Sequence, residues 1–175
     1  MKTYKLGTAN DRILTVKKCD GDYVVTLKIE NDDAKYVELP SKRWALFRTG
    51  VDDINIIVKA MMEGQNDINF RVHIGGGYYV SVTSGISCID FRKFYKPNNA
   101  REGDVKPTKR GVALRLKEWS HLCSLIDVIN AAYPTLASAL PCYRDGEHLD
   151  LGITSVACTE CYPFGHGLHL IFEAH

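Results

Sequence analysis

The chain has 175 residues, 45% of them hydrophobic and 25% charged, with a formal net charge of +1. That apolar content can bury one domain or two small, closely joined ones, and it excludes a disordered chain. No apolar run approaches the roughly 18 residues of a membrane helix, and the opening MKTYKLGTANDR lacks the apolar core of a secretory leader, so a soluble protein of the nucleus or cytoplasm is expected.

Ile13–Val16 and Tyr23–Ile29 are β-branched and aromatic runs on either side of Cys19-Asp20-Gly21-Asp22, which predicts a hairpin of two antiparallel strands. Glu30–Asp33 makes the next turn and Lys35–Leu39 a short third strand, closed by Pro40. Ser41 reads as a helix N-cap, and Trp44, Phe47, Val51, Ile54 and Val58 recur at spacings of three and four, predicting a helix that runs to Gly64 past a weak point at Gly50.

The second half opens with Phe70–Ile74, turns at Gly75-Gly76-Gly77, and continues with Tyr78–Val82 and a long strand over Ser87–Tyr95. Without a GK[ST] or GxGxxG frame, the three glycines predict a turn or bulge and no phosphate loop. A loop is expected over Lys96–Lys109, then a strand at Gly111–Leu114 and a helix from about Leu116 that ends before Pro134. Cys19, Cys88 and Cys123 sit singly in apolar patterns and read as buried free thiols. His73 and His121 read as surface residues of a strand and a helix.

The two halves overlay. An offset of 75 pairs Val37 with Val112, Leu39 with Leu114, Lys42 with Lys117, Ile54 with Ile129, and Trp44 with Trp119, the only 2 tryptophans. Ile13–Val16 matches Tyr79–Val82 at a shorter offset, since the first half lacks the long loop. The expected fold is therefore α+β: two β-β-β(-β)-α repeats with curved antiparallel sheets, their helices packed as an intramolecular pseudo-dimer, followed by a small Cys/His-rich tail. The expected boundaries are 1–65 for a divergent first repeat, 66–133 for the second repeat and 134–175 for the tail.

Charge is uneven along this plan. Residues 1–69 carry 11 Lys and Arg against 11 Asp and Glu, residues 70–133 carry 10 against 5, and residues 134–175 carry 1 against 5. The basic excess is concentrated between Phe91 and Trp119, where Arg92, Lys93, Tyr95, Lys96, Lys106, Lys109 and Arg110 mix cations with aromatic rings. Cations that meet phosphates and rings that stack on exposed bases suit unpaired nucleic acid.

Phe70 to about Asn130 resembles the C-terminal single-stranded-DNA-binding domain of the transcriptional coactivator positive cofactor 4. The resemblance is carried by Tyr79–Val82, Ile89–Tyr95, the KP-x-x-[KR]-G element at Lys106–Gly111, Val112–Leu114 and Trp119. It implies a curved sheet followed by a helix, pairing through the helices, and channels for single strands. It also implies backbone contacts from Arg92, Lys106 and Arg110, with Tyr95 as the stacking aromatic. Lys93, Lys96 and Lys109 are further phosphate contacts, and Tyr78 substitutes on a hairpin that lacks the family's basic residues. The first repeat lacks KP-x-x-[KR]-G, so binding is expected to be asymmetric.

In the tail, Cys142 and His148 precede Cys158-Thr-Glu-Cys161. A C-x₂-C turn delivers two thiolates to one tetrahedral ion, and Cys142 with His148 offers a second pair, so a structural Cys₃His zinc site is expected; His166 and His169 compete as ligands but are better read as surface histidines. No Walker A, HExxH, nucleophile or Rossmann pattern is present, which argues against an enzyme. The expectation is a single-stranded-DNA-binding protein resembling a transcription coactivator, with transcription machinery as a partner. The alternatives are a Pur-alpha-like binder of RNA or single-stranded DNA, and a protein-interaction adaptor with a zinc-clamped tail.

Overall fold

The computed structural model of the chain describes residues 1–9, 11–101, 103–144 and 158–164. Four antiparallel strands make the first sheet, in the order β1 (Lys2–Leu6), β2 (Arg12–Cys19), β3 (Asp22–Ile29) and β4 (Asp32–Pro40). Helix α1 (Ser41–Met62) follows. The second half repeats the plan with β5 (Asn69–Gly75), β6 (Tyr78–Thr83), β7 (Ile86–Tyr95) and β8 (Lys106–Arg115), a sheet in the order β5-β6-β7-β8, and helix α2 (Leu116–Ala132). The expected α+β class, with two sheet-then-helix repeats and a cysteine cluster in the tail, is thus observed.

Several details differ from the sequence reading. Strand β1 was not expected, because Lys2, Thr3 and Lys5 leave only Tyr4 and Leu6 to point inward; it is a polar edge strand of the sheet. The long loop is shorter than expected, since Lys106-Pro107-Thr108-Lys109-Arg110 already belongs to β8. Pro107 is tolerated there because β8 is an edge strand and its register shifts between Arg92 and Phe94. The Ser41 side chain does not cap α1; its hydroxyl donates to Asp22 instead. None of the three single cysteines is fully buried: Cys88 and Cys123 are half-buried, and Cys19 is exposed next to the Asp20-Gly21 turn, where both residues have positive φ.

The helices tie the halves together. Helix α1 lies against β3 and β4 of its own repeat and crosses to β5 of the other, while α2 lies against β7 and β8 and crosses to β1. The equivalence extends to single bonds. The Trp44 Nε1–H donates to Asn130 Oδ1 at 3.1 Å, and the Trp119 Nε1–H donates to Asn55 Oδ1 at 2.8 Å. Both pairs obey the offset of 75, so the two bonds are exchanged across a pseudo-twofold axis, as an isologous interface requires.

Phe47 is central to the shared core, with ring centroids 5.5 Å from Trp44, 5.5 Å from Phe91 and 6.2 Å from Trp119. Buried residues of both sheets and both helices join one cluster around it. A second tie is ionic: the Glu118 carboxylate, buried at the start of α2, accepts from Arg115 at 2.7 Å and lies 3.8 Å from Arg12 of the first repeat. His121 is not a free surface residue, since its Nδ1 accepts from the Gly7 N–H at 3.2 Å.

After Tyr133, Pro134 starts the short helix α3 (Pro134–Ser138) at a position where a missing N–H is harmless. Arg48 donates to the carbonyls of Leu136 and Ala137 at 3.1 Å and of Ala139 at 3.3 Å, pinning this segment to α1. A 3-10 turn over Cys142–Arg144 follows.

Candidate nucleic-acid interface and metal centre

A strand turns successive side chains to opposite faces, and this divides the basic, aromatic block of the second repeat. Tyr79 pairs with Arg92 and faces the open side of the sheet; Tyr78 pairs with Lys93 and faces the first repeat. Gly111 must be glycine for β8 to lie this close to β7, because a Cβ there would stand 2.5 Å from the Phe91 carbonyl oxygen and 3.0 Å from Arg92 Cα. The KP-x-x-[KR]-G element therefore shapes the strand pairing as well as carrying charge.

On the open face, a groove of about 360 Å³ is lined by Asn69, Arg71, Ser81, Asp90, Arg92 and Phe94 among others. The Arg71 guanidinium stands 5.0 Å from the ring centroids of both Tyr79 and Phe94, so two largely buried rings hold a planar cation over the sheet. Arg92 donates to both Asp90 oxygens, at 2.8 and 3.0 Å, and to the Thr108 carbonyl at 2.9 Å. Its charge is partly neutralised and its orientation fixed. Beyond the groove, at the outer end of the β7–β8 pair, Tyr95 is 48% exposed, Lys106 and Lys109 are exposed, and Lys96 is half-buried.

Three expected contacts lie elsewhere. Tyr78 is only 4% exposed, with Arg43 4.7 Å and Lys93 5.0 Å from its ring centroid, so it cannot stack on a base in this arrangement. Lys93 is half-buried; its ammonium donates to the Gly76 carbonyl, and burial, helped by the nearby Arg43 charge, holds it below the usual lysine range. Arg110 lies over the Tyr36 ring, 4.2 Å from its centroid, and donates to the Tyr36 hydroxyl. Strand alternation and the closeness of β4 to β8 turn these three toward the seam between the repeats.

The glycine turn is part of the same seam. Gly75, Gly76 and Gly77 all have positive φ, which fits the expected turn, and β5 bulges between His73 and Gly75. His73 is 6% exposed, contrary to its surface reading, and its Nε2 accepts from the Gly77 N–H at 3.1 Å. Against this turn packs the C-x₂-C segment of the tail. The Gly76 N–H donates to the Glu160 carbonyl at 2.9 Å, and the Arg43 Nε donates to the Glu160 carboxylate at 3.2 Å while its Nη2 bonds the other carboxylate oxygen. Neither Arg43 nor Arg71 stood out in the sequence: Arg43 follows Lys42 at the start of a helix and reads as part of its polar face, and Arg71 is a lone cation in an apolar run, although a count by twos along β5 would have placed it on the face of Tyr79.

The sulfurs of Cys142, Cys158 and Cys161 all lie within 4.8 Å of one another, and those of Cys142 and Cys158 are 3.4 Å apart. Ligands at the usual 2.3 Å from a tetrahedral zinc are about 3.8 Å from each other, so the three thiols fit such an ion. Their electrostatics agree. Burial, with Cys158 alongside, pushes the Cys142 thiol up to about 11, and burial and both neighbouring thiols push Cys161 up as well. Burial opposes the Cys158 thiolate too, but the backbone N–H groups of Cys161 and Glu160 and the Cys142 thiol hold it below the ordinary range. A cation would relieve three crowded thiolates at once. His148, expected as the fourth ligand, lies outside the described residues, as do His166 and His169.

Among the described residues no helix is long and apolar enough to cross a membrane. No family model, curated protein or solved structure matches this chain.

Proposed function

We propose that the protein binds single-stranded DNA without catalysis, along the open face of the second sheet and the outer end of the β7–β8 pair, in the manner of a transcription coactivator related to positive cofactor 4. The observation that carries this reading is the placement of Arg71 and Arg92 in one groove that leads to exposed Tyr95, Lys106 and Lys109. A base has a flat cation and a ring to stack on, and a backbone has a row of positive charge to follow. The first repeat lacks the KP-x-x-[KR]-G strand that supplies Lys106 and Lys109, so the second repeat carries most of the binding and the first mainly completes the fold. In the tail, the ion held by the three cysteines is zinc in a structural role, with His148 the fourth ligand expected from the sequence.

Fluorescence anisotropy with labelled single-stranded oligonucleotides tests the reading. Lys106→Ala and Lys109→Ala should each flatten the salt dependence, by about 0.7 in the slope of log K against log salt for each phosphate that is no longer neutralised. Tyr95→Ala should weaken binding by about 1–3 kcal/mol. Lys59→Ala, at an exposed position of α1 outside this groove, should change nothing. Absence of binding at low salt, or equal affinity for intact duplex, sinks the proposal. Competition between RNA and DNA of one sequence separates it from the Pur-alpha-like alternative.

A further inference from the structure

Tyr78 and Lys93, turned to the seam, border a second feature. Arg43 is only 10% exposed through its side chain, yet it is not sealed in the apolar core: its Nη1 donates to the Glu38 carbonyl at 2.7 Å, while Nε and Nη2 point at the glycine turn. What meets them is the Glu160 carboxylate, fork to fork, in the arrangement that arginine also makes with phosphate oxygens. The carboxylate lies directly on the glycines. A Cβ at Gly75 would stand 2.7 Å from Glu160 Oε2, and one at Gly76 would stand 3.0 Å from Oε1. The Gly76 N–H and the Lys93 ammonium complete the surroundings, the first bonded to the Glu160 carbonyl and the second to the Gly76 carbonyl. An arginine fork, a backbone N–H in a left-handed glycine run and a lysine are the parts of a phosphate cradle.

We infer that Arg43, Lys93 and the Gly75–Gly77 turn form a phosphate-binding site which the Glu160 carboxylate fills as an internal ligand. The chemistry recognised is that of phosphate oxygens, supplied either by a nucleic-acid backbone or by a free phosphate ester. For the backbone source the inference rests on the function proposed above; for the free ester it does not. Because Glu160 lies between Cys158 and Cys161, the thiols that gather a metal also hold the plug in place. With the cysteine cluster intact the cradle is closed. When the turn is loosened, Arg43 and the Gly76 N–H are released together, and Tyr78 loses the guanidinium that is fixed against its ring.

The test follows the Gly76 amide in ¹H–¹⁵N spectra of the full chain during titration with inorganic phosphate and, separately, with a single-stranded oligonucleotide. The wild-type amide should not respond to phosphate. Glu160→Gln should show a saturable shift, and Glu160→Gln with Arg43→Gln should show none. If the backbone is the source, Glu160→Gln should also tighten oligonucleotide binding by about tenfold and steepen its salt slope by about 0.7, the signature of one more neutralised phosphate. A shift with phosphate alone assigns the site to a free phosphate ester and leaves the cradle standing, even if no oligonucleotide binds. If Glu160→Gln loses its dispersed spectrum, Cys158→Ser, which loosens the same turn with Arg43 and Glu160 unchanged, takes its place and should show the same shift. A folded variant whose Gly76 amide ignores both ligands overturns the inference and leaves the Arg43–Glu160 pair as a structural salt bridge.

Discussion

The exchanged tryptophan bonds allow a prediction whose asymmetry comes from burial alone. Removing either asparagine side chain deletes one bond to an indole N–H, with a net worth of about 1 kcal/mol, and leaves the donor to find another partner. Trp44 is 0% exposed, so Asn130→Ala strands its N–H in the core and adds a desolvation penalty of about 1–3 kcal/mol. Asn55 lies at the surface, so water can replace it on Trp119 and Asn55→Ala should cost only about 1 kcal/mol. The expected loss for Asn130→Ala is therefore about 2–4 kcal/mol, or roughly 4–16 °C in Tm for a chain of this size. Urea unfolding of the wild type and both variants, compared at equal m-values, provides the measurement. Equal losses, or a larger loss for Asn55→Ala, would refute the reasoning, because the two bonds are otherwise equivalent.

Other outcomes follow from the same geometry. Gly111→Ala should destabilise the chain by about 1–3 kcal/mol through overlap with the Phe91 carbonyl, measured by thermal melting, and should weaken oligonucleotide binding by distorting the β7–β8 edge. Glu118→Ala should cost about 3 kcal/mol in urea unfolding, since it leaves Arg115 and Arg12 without their buried carboxylate, whereas the exposed Lys5–Glu30 pair should cost less than about 1 kcal/mol when Lys5 is replaced. The purified protein should contain close to one equivalent of zinc, and Cys161→Ser should abolish it and lower Tm; less than half an equivalent with intact thiols would count against the site.

The repeated architecture was legible because it rests on large apolar residues. Trp44 and Trp119, Leu39 and Leu114, and Ile54 and Ile129 share one offset, and burial leaves such residues little freedom to move or be replaced. Strand β1 was not legible, since an edge strand needs few inward side chains and Lys2–Leu6 supplies only two. The basic block was visible as composition, but the fate of each residue depended on which face its strand presented and on what approached that face. Arg92 and Lys93 are neighbours in sequence and lie on opposite sides of the sheet. The seam could not be read at all, because the Arg43–Glu160 pair joins residues separated by most of the chain, and no periodicity announces a pairing of that kind.

The crossing of each helix onto the first strand of the other repeat also bears on how such a chain can vary. An assembly of two identical chains forms only as fast as they meet and must carry every change twice, once on each side of its axis. Here residues 63–68, between α1 and β5, join the halves covalently, so each finds the other at a fixed, high effective concentration, and dilution does not separate them. Either half is then free to accumulate differences. Where α2 places Glu118 beside Gly7 of the opposite repeat, α1 at the same offset places Arg43 beside Gly75. One position holds an anion and its counterpart a cation, a reversal that a symmetric pair of chains could never adopt.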